Sequence, residues 1–328
     1  MANEVKKLNL IAIGDIKNLN ALTDANLKKL NLLEWSSGPS HVWTELGAMG
    51  TAMTGAGQGF GAVNTAVVVA GGYESAFVDN TQERNGTTWG TGGDLSATRQ
   101  QMGSCGTSSA GLCFGGWPGA GGNTNITQHY DGSTWSTDED TISVSKGANR
   151  GCGTQTAALQ ALGDVDGGTT ADAKNAEVYN GSTWGSGSTP GNAANYVSAF
   201  GESDAGYFCG GYGYPSEHNH VQYYNGTSWS TDPGGVTLRI TQHQQGGSFG
   251  SSSAAVIFAG AGATTGTSYA ANQDHADKWN GTAFSATATL PDGSINYNDT
   301  HGAGSQEAGL GFGGWTGSGT TSNVVTYT

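Results

Sequence analysis

The stretch Tyr179-Asn180-Gly181-Ser182-Thr183-Trp184 recurs, with small changes, four more times along the chain. Asn-Gly and Asp-Gly are the strongest two-residue hairpin signals, because both central residues of a type I′ turn need a positive φ. Each copy follows a segment that ends in an aromatic residue or its stand-in. The sequence therefore predicts five hairpins of one design. The copies occupy residues 85–89, 131–135, 180–184, 225–229 and 280–284, and the preceding residues are Arg84, Tyr130, Tyr179, Tyr224 and Trp279.

A second repeat runs in phase with the first: apolar runs that end in a glycine pair or the remnant of one. Successive pairs begin 44, 48, 47, 50 and 53 residues apart. The runs, such as residues 66–70, have the length and composition of buried strands. A period of this size, with glycine pairs and paired aromatics, is typical of propeller blades. The pairs are Gly71-Gly72, Gly115-Gly116, Gly163-Asp164, Gly210-Gly211, Gly260-Ala261 and Gly313-Gly314.

The two repeats also predict how the ring closes. There are six glycine positions but only five turns. After the sixth pair, residues 323–328 match the strand before a turn, and the chain then stops. Residues 40–44 match the strand after a turn, so that Trp43 and Tyr327 become ring-closing partners. We therefore expect an all-β, six-bladed propeller over residues 35–328, with its last blade completed by an N-terminal strand. Such closure leaves only short sheet edges.

Residues 1–34 differ in composition and contain an eleven-residue repeat that begins at Lys6, Lys17 and Lys28. An eleven-residue apolar period fits a right-handed helical seam, and Thr23-Asp24 can cap a helix that runs to about Leu33. We expect a short, partly helical arm for anchoring or oligomerisation. The alternative is an arm folded back on its own propeller. The predicted docking residues are Leu8, Ile11, Ile16, Leu19, Leu22, Leu27, Leu30 and Leu33.

Composition and charge exclude several classes of protein. The 328 residues include 57 glycines, yet 9 Trp, 12 Tyr and 9 Phe are too many for a disordered chain, and no Gly-X-Y period indicates collagen. Residues 1–34 carry five lysines and four acidic residues (+1), and residues 35–328 carry 7 basic and 22 acidic residues (−15). An acidic body is a poor partner for nucleic acid. No apolar run is long enough for membrane insertion, and we expect no ordinary secretory signal.

The repeat of Gly-Gly, then Tyr, then Trp resembles the kelch family of β-propellers across residues 36–328. That resemblance implies the fold but no single activity, because kelch propellers include binding proteins, scaffolds and enzymes. The copper-radical oxidases of that family need a Tyr/Cys/His ligand set, which we cannot locate here. We therefore predict no cofactor.

The arm and the turns together resemble virion proteins of marine tailed phages, through residues 28–35 and 178–184. This resemblance implies a structural, tail or fibre component, made in the host cytoplasm and displayed on the extracellular particle. Because one arm cannot bury its own leucines, we expect residues 1–34 to dock on other virion proteins or on further copies of the chain, as a homo-oligomer. A host surface glycan is the expected ligand of a receptor-binding component. We expect a non-enzymatic protein. The alternatives are a carbohydrate-active or oxidoreductase propeller, which needs converging titratable groups in the channel, and a cellular interaction scaffold.

Residues with metal or redox chemistry are few, and we predict neither a metal site nor catalytic residues. His218 and His220 alternate but lack a visible third ligand. The acidic stretches 138–140 and 164–168 lack complete calcium spacing and are interpreted as solvated turns. Cys105 and Cys113 could face each other across a hairpin, but all four cysteines fit small buried hydrophobes better. The Asn-Gly-Ser/Thr triplets are interpreted as turns rather than glycosylation sites.

Two groups of residues are candidates for ligand binding. Aromatic residues recur just after the glycine pairs, in loops that a rigid fold would hold on one face of the disc. Aromatic rings among small polar residues suit stacking against sugars; the alternative is that each ring packs on the loop of the neighbouring blade. A set of polar residues forms the second group, which we expect near the central channel. The aromatic candidates are Tyr73, Trp117, Tyr212, Tyr214, Tyr269 and Trp315, and the polar ones are Gln100, Gln101, Asn149, Arg150, Gln242, His243 and Gln244.

Overall fold

The computed structural model of the protein describes residues 41–53, 59–119, 121–137, 140–166, 173–213, 219–239, 246–260, 274–291, 299–314 and 319–328. His41–Thr328 forms one compact unit. The predicted arm, with its eight docking residues between Leu8 and Leu33, lies outside the described residues.

The described residues form 23 strands in six antiparallel sheets, five of four strands and one of three. In chain order they are β1 (Trp43–Leu46), β2 (Gly59–Val63), β3 (Ala66–Tyr73), β4 (Phe77–Asn85), β5 (Thr88–Thr91), β6 (Gly103–Thr107), β7 (Ala110–Phe114), β8 (Thr127–Tyr130), β9 (Arg150–Thr154), β10 (Ala157–Ala161), β11 (Ala176–Tyr179), β12 (Trp184–Ser186), β13 (Ser198–Glu202), β14 (Ala205–Cys209), β15 (Val221–Tyr224), β16 (Trp229–Thr231), β17 (Gly247–Ser251), β18 (Ala254–Phe258), β19 (Ala276–Trp279), β20 (Phe284–Ala286), β21 (His301–Ser305), β22 (Ala308–Phe312) and β23 (Val324–Tyr327).

Each sheet is one blade of a six-bladed propeller, as the sequence predicted. Blades 1 to 5 are β2–β5, β6–β8, β9–β12, β13–β16 and β17–β20, and blade 6 has the order β1-β23-β22-β21. The first strands of the blades contact one another in a closed ring around the axis, and β21 returns to β2. In blade 2 the outer position holds Trp135, which forms a single β-bridge with Tyr130.

The ring closes through the predicted N-terminal strand. Trp43 pairs with Tyr327 in the register between β1 and β23. The amide of Val42 donates to the carbonyl of Thr328 at 2.9 Å, and the amide of Thr328 donates back at 3.2 Å. Trp43 is buried against Phe249 and Tyr327. The prediction of ring closure by Trp43 and Tyr327 is confirmed.

Every blade carries one pair of facing side chains between its two outer strands. Five pairs are aromatic, with ring centroids 4.8–5.2 Å apart. In blade 1 the guanidinium carbon of Arg84 lies 5.7 Å from the ring centroid of Trp89, a cation–π contact. The predicted series of Trp and Phe residues is therefore one structural position. The aromatic pairs are Tyr130/Trp135, Tyr179/Trp184, Tyr224/Trp229, Trp279/Phe284 and Tyr327/Trp43.

The hairpin prediction is correct, but the predicted type I′ turn is wrong. Tyr179 pairs with Trp184, which leaves a four-residue loop in which only Gly181 has a positive φ. The side-chain Oδ1 of Asn180 accepts the amides of Ser182 and Thr183 at 3.0 and 2.9 Å. An Asx turn of this kind lets Asn keep a negative φ, because its side chain replaces the backbone acceptor. The Ser/Thr residues of the repeat complete that turn.

The glycine pairs are also confirmed, with a correction of one residue in two blades. The aligned pairs in blades 3 and 5 are Leu162-Gly163 and Ala259-Gly260, not Gly163-Asp164 and Gly260-Ala261. Leu162 and Ala259 follow β10 and β18 directly and have φ values of 65° and 55°. The second glycine is therefore the position kept in every blade, and the first one accepts a side chain.

Side-chain size is complementary where neighbouring blades meet. The inner-strand residue that pairs with the third residue of its own blade's second strand faces the second residue of the next blade's second strand. A Cβ on Gly111 would lie 2.1 Å from the ring of Phe60, so the large ring needs glycine opposite it. Where the inner residue is Ala303, the facing residue is Val67. The six pairs are Phe60/Gly111, Cys105/Ala158, Cys152/Gly206, Phe200/Ala255, Phe249/Gly309 and Ala303/Val67.

Candidate functional site

One face of the propeller carries both groups of predicted binding residues. We call it the loop face: the segments after the glycine pairs and those before the inner strands, described here as residues 71–77, 95–102, 115–119, 121–126, 146–150, 162–166, 194–197, 210–213 and 299–300. These segments are hydrogen-bonded to one another across blade boundaries. The amides of Gly72, Gly116 and Gly163 donate to the next blade's carbonyls of Arg99, Lys146 and Ala194 at 2.7–2.9 Å. In blades 1 to 4, main-chain hydrogen bonds therefore fix the described segments of the loop face to one another.

Buried polar side chains in the third strands hold the segments that enter each blade. Gln82 in β4 accepts the amide of Thr51 at 3.1 Å through Oε1 and donates to its carbonyl at 3.3 Å. Gln222 in β15 makes the same two contacts with Asn192 at 2.9 and 3.0 Å. Buried, satisfied polar contacts of this kind fix loop position.

Two of the predicted aromatics join into one cluster through a residue that we did not predict. Phe77 lies between Tyr73 and Trp117, with ring centroids 5.3 and 5.2 Å away in edge-to-face geometry. We call Tyr73, Phe77 and Trp117 the aromatic rim; all three are half-buried. Trp117 thus packs on the neighbouring blade, as the alternative interpretation expected, yet keeps part of its ring exposed. The length of β3 and β4, which places Phe77 beside Tyr73, could not be inferred from the repeat.

The predicted aromatics in the other blades divide into two groups. Tyr212 has 42% of its surface exposed. It forms a β-bridge with Asn195, and Trp117 forms the equivalent bridge with Gln100. Tyr214, Tyr269 and Trp315 lie outside the described residues.

Polar side chains from four blades converge at the loop-face end of the channel, around the starts of the inner strands. We call Gln101, Arg150, Tyr196, Asp299 and His301 the channel mouth. Gln101 Nε2 donates to the hydroxyl of Tyr196 at 3.4 Å. Arg150, from blade 3, interacts electrostatically with Asp299 and His301, from the opposite blade 6. Arg150 and His301 are buried, whereas the other three are half-buried.

The sequence predicted only part of this cluster. Gln101 and Arg150 lie at the mouth as expected. The main chain of Gln100 pairs with that of Trp117, and its side chain is buried. The fully buried side chain of Asn149 lies against Gly115 and Gly163. Gln242, His243 and Gln244 lie outside the described residues. Tyr196 and Asp299 occupy the position of Gln101, two residues before an inner strand, and His301 occupies that of Arg150, the first residue of one. Alignment of the blades on their inner strands would therefore have found all three.

Burial dominates the electrostatics of the channel mouth. It raises the pKa of Asp299 to about 6, although the guanidinium of Arg150 acts in the opposite direction. Burial lowers the pKa of Arg150 to about 10. The pKa of His301 lies well below its usual value, because of burial and then Arg150. Burial and the carboxyl of Asp299 raise the pKa of Tyr196. The mouth therefore disfavours added charge of either sign.

Below the mouth, the channel has a volume of about 100 Å³ and is lined by the inner strands of all six blades. Much of the lining is glycine, including Gly106, Gly153, Gly250 and Gly304. A wall without side chains exposes main-chain donors and acceptors, and a polar cavity of this size has room for several water molecules. Arg150 and His301 directly precede the lining residues Gly151 and Gly302, so the mouth caps this cavity.

The structure places the residues with metal and redox chemistry as follows. His220 Nδ1 lies 2.7 Å from Asp232 Oδ2, and His218 lies outside the described residues. In the part of the chain that the structure describes, no group of three or more His, Cys, Asp or Glu side chains could hold a metal ion. Asp166 accepts the amide of Asn123.

The cysteines are buried small side chains, as interpreted from the sequence. All four thiols are free and buried. Cys105 pairs with Leu112, and Cys113 pairs with Ser104. Facing residues share one side of a sheet, so Cys105 and Cys113 project from opposite sides, and the alternative that they face each other is wrong. Burial raises the pKa of Cys113 to about 12, which makes it a poor nucleophile.

No protein-family model matches the chain, and no curated protein shows significant similarity to it. Among the described residues, no helix is long and apolar enough to cross a membrane. The fold and the geometry of the loop face are therefore the basis for a functional proposal.

Proposed function

We propose that this propeller is a non-enzymatic component of a tailed-phage particle that recognises a glycan on the host surface through its loop face. In this proposal residues 1–34 dock on other virion proteins or on further copies of the chain. The propeller is displayed outward on the particle, after assembly in the host cytoplasm. The leucine-rich arm and the repeated Asn-Gly-Ser/Thr turns support this assignment through their resemblance to virion proteins of marine tailed phages.

The observation that carries the proposal is the aromatic rim on a rigid face. Tyr73, Phe77 and Trp117 form an edge-to-face series that remains half-exposed. Partly exposed rings offer apolar faces to the C–H groups of a sugar. The main-chain bonds between Trp117 and Gln100, at 3.0 and 2.8 Å, fix the Trp117 backbone to the segment that carries the mouth residue Gln101. Binding then needs little ordering of the protein, which lowers its entropic cost.

Attachment to bacterial surface polysaccharide tests the role of the loop face. We expect Trp117→Ala and Phe77→Ala to weaken binding of the purified full-length protein to host polysaccharide at least tenfold. Val63→Ala is the control, because Val63 is exposed at the end of β2 away from the loop face. Equal binding by all three variants, with unchanged thermal unfolding, would contradict glycan recognition by the aromatic rim.

Removal of residues 1–34 tests the role of the arm. The described closing contacts begin at His41, which stacks on Tyr327, so the truncated propeller retains its ring. We expect it to unfold at the same temperature as the full chain but to be absent from assembled particles. Incorporation of the truncated protein at wild-type level would show that the arm does not dock it.

The channel mouth supports a second candidate, a carbohydrate-active enzyme. A carboxyl with a pKa of about 6, as for Asp299, has the property of a general acid. Glycoside hydrolysis normally needs two carboxyl groups, and Asp299 is the sole carboxyl among the five residues of the mouth. Release of reducing sugar from host polysaccharide by the wild-type protein but not by Asp299→Asn would favour the enzyme.

A further inference from the structure

Four blades place a residue with a left-handed backbone two positions before the inner strand. These residues are Gln101, Ala148, Tyr196 and Asp299, with φ values of 56°, 48°, 56° and 58°. This conformation is strained for a residue other than glycine. The chain has 57 glycines and uses glycine at most of its other positive-φ positions. Gln, Tyr and Asp are thus retained here at a cost in stability, which points to a role for their side chains.

Ala148 shows that the fold itself does not require a large side chain at this position. It is fully buried and lies in the same conformation as the other three. The three polar residues therefore do not serve the local backbone. Each of them instead reaches the channel mouth, where Gln101 bonds to Tyr196 and the carboxyl of Asp299 interacts with Tyr196 and Arg150.

Asp299 and Tyr196 in the channel mouth can each form hydrogen bonds that no described residue makes with them. Asp299 is half-buried as a whole, but its Oδ1 is out of contact with solvent and has no hydrogen-bond partner among the described residues. The hydroxyl of Tyr196 accepts from Gln101 and makes no other hydrogen bond within the described part of the chain. A buried acceptor without a donor destabilises the folded state, because it has lost its hydrogen bonds to water. A ligand with hydroxyl groups would remove that cost.

The net charge of the chain and the charged groups of the channel mouth favour a neutral ligand over an anion or a cation. An anion would meet a chain of net charge −14 and a carboxyl that already ionises with difficulty. A cation would meet the buried guanidinium of Arg150. Hydroxyl groups can donate to Asp299 and accept from Tyr196 without bringing a charge into a desolvated site.

Building on the glycan recognition proposed above, we propose that the channel mouth holds one neutral hexose, the terminal unit of a glycan whose next units contact the aromatic rim. Asp299 Oδ1 accepts a sugar hydroxyl, and the hydroxyl of Tyr196 donates to another. Trp117 is linked through Gln100 to the segment that carries Gln101, so the two parts of the site are adjacent along the chain.

Ligand-observed NMR titration of the full-length protein tests the site. The probes are the methyl glycosides of glucose, galactose and mannose, with methyl glucuronide as the acidic counterpart. We expect at least one neutral glycoside to bind and the glucuronide to bind more weakly. Asp299→Ala and Tyr196→Phe should weaken the neutral glycoside at least tenfold. The matched controls Asp204→Ala, in an exposed turn at the far end of β13, and Tyr223→Phe, in β15, should bind as wild type.

The outcomes separate this site from the proposed function. Absence of binding by every neutral glycoside, tighter binding of the glucuronide, or wild-type binding by Asp299→Ala and Tyr196→Phe would each overturn the hexose site. If polysaccharide binding is still lost in Trp117→Ala, glycan recognition by the loop face stands without the hexose site. If the wild-type protein does not bind polysaccharide at all, the proposed function fails. Thermal unfolding identifies any variant that does not fold, and Tyr196→Phe removes only one oxygen atom.

Discussion

At the scale of single residues, the channel mouth combines backbone strain with the burial of charge. Asp299 has a left-handed backbone, and its carboxyl has a pKa of about 6. Asp and Asn tolerate this conformation better than most residues, which accounts for the backbone but not for the burial of an ionisable group. The strained backbone and the buried carboxyl each destabilise the folded state. Destabilising features of this kind are most common at binding and active sites.

Replacement of Asp299 by Asn should change stability in a pH-dependent way. The folded pKa lies above the unfolded value of 3.8, so the folded state holds its proton more tightly between those values. The stability of the wild type relative to Asp299→Asn is therefore fully present below pH 4 and is lost as the pH rises through 6. A shift of about 2 pKa units corresponds to about 3 kcal/mol. Urea denaturation of both proteins at pH 4 and pH 8 measures the difference.

The comparison between variants isolates Asp299 from His301, whose lowered pKa has the opposite effect on total stability. A depressed histidine pKa makes the fold lose stability as the pH falls. Because His301 is present in both proteins, its contribution cancels in the difference. A stability difference that is the same at pH 4 and pH 8 would show that Asp299 is ionised normally in the folded protein.

Residue-scale detail was the part of the structure least accessible to sequence reasoning. The Asn-Gly dipeptide predicted a hairpin correctly, but the turn type depended on the Ser/Thr amides that bond to Asn180. Arg150, the first residue of β9, was among the predicted polar residues, whereas Asp299 and His301 were missed because the blades were not aligned on their inner strands. Convergence across the ring depends on long-range geometry, and a repeat in one chain does not reveal which side chains meet at the axis.

At the scale of the strands, the interfaces between blades differ mainly in which of the two facing residues has the larger side chain. Phe60 packs on Gly111, whereas the equivalent pair in the next interface of the ring is Ala303 with Val67. Protein cores tolerate such exchanges when the total volume is kept. Apolar runs ending in glycine were sufficient to predict these strands, because each is buried on both faces. The facing pairs were not predicted, since pairing requires the order of the blades in space.

Substitutions that exchange the sizes of two facing side chains should have non-additive effects on the free energy of unfolding. Gly111→Val should destabilise the propeller by about 2 kcal/mol or more, because its side chain would overlap the ring of Phe60. Phe60→Ala should cost about 3–5 kcal/mol through the cavity it leaves. The double variant reproduces the Ala303/Val67 pair, so its loss should be smaller than the sum of the two by about 1 kcal/mol or more. Urea denaturation gives all three values; strictly additive losses would mean that the two residues do not share one volume.

At the scale of the whole molecule, the sequence predicted the number of blades and the closing strand because both follow from counting. Six glycine positions and five turns leave one outer strand missing, and Trp43 supplies it. Counting repeats does not test the resemblance to virion proteins in the same way. The repeats report on the fold, and the propeller fold is shared by proteins of many functions. Ring closure is therefore a finding about the fold, while attachment and glycan recognition depend on the experiments above.

Ring closure makes Trp43 the residue whose loss should affect the whole propeller. Its ring lies 4.9 Å from Tyr327 and 4.9 Å from Phe258, so it joins β1 to blades 5 and 6. We expect Trp43→Ala to lower the free energy of unfolding by about 3–5 kcal/mol, since the cavity lies where the two ends of the chain meet. Chemical denaturation of the chain measures the loss.

The matched control is Trp43→Phe, because blade 5 already uses Phe284 at the equivalent position. The indole N–H of Trp43 is buried and has no hydrogen-bond partner among the described residues, so its removal leaves no acceptor unpaired there. We expect Trp43→Phe to cost less than about 1.5 kcal/mol. A similar small cost for Trp43→Ala would mean that main-chain pairing of β1 with β23 closes the ring without this side chain. A large cost for Trp43→Ala with a small one for Trp43→Phe would show that the aromatic contact with Tyr327, rather than the indole N–H, holds the first and last strands together.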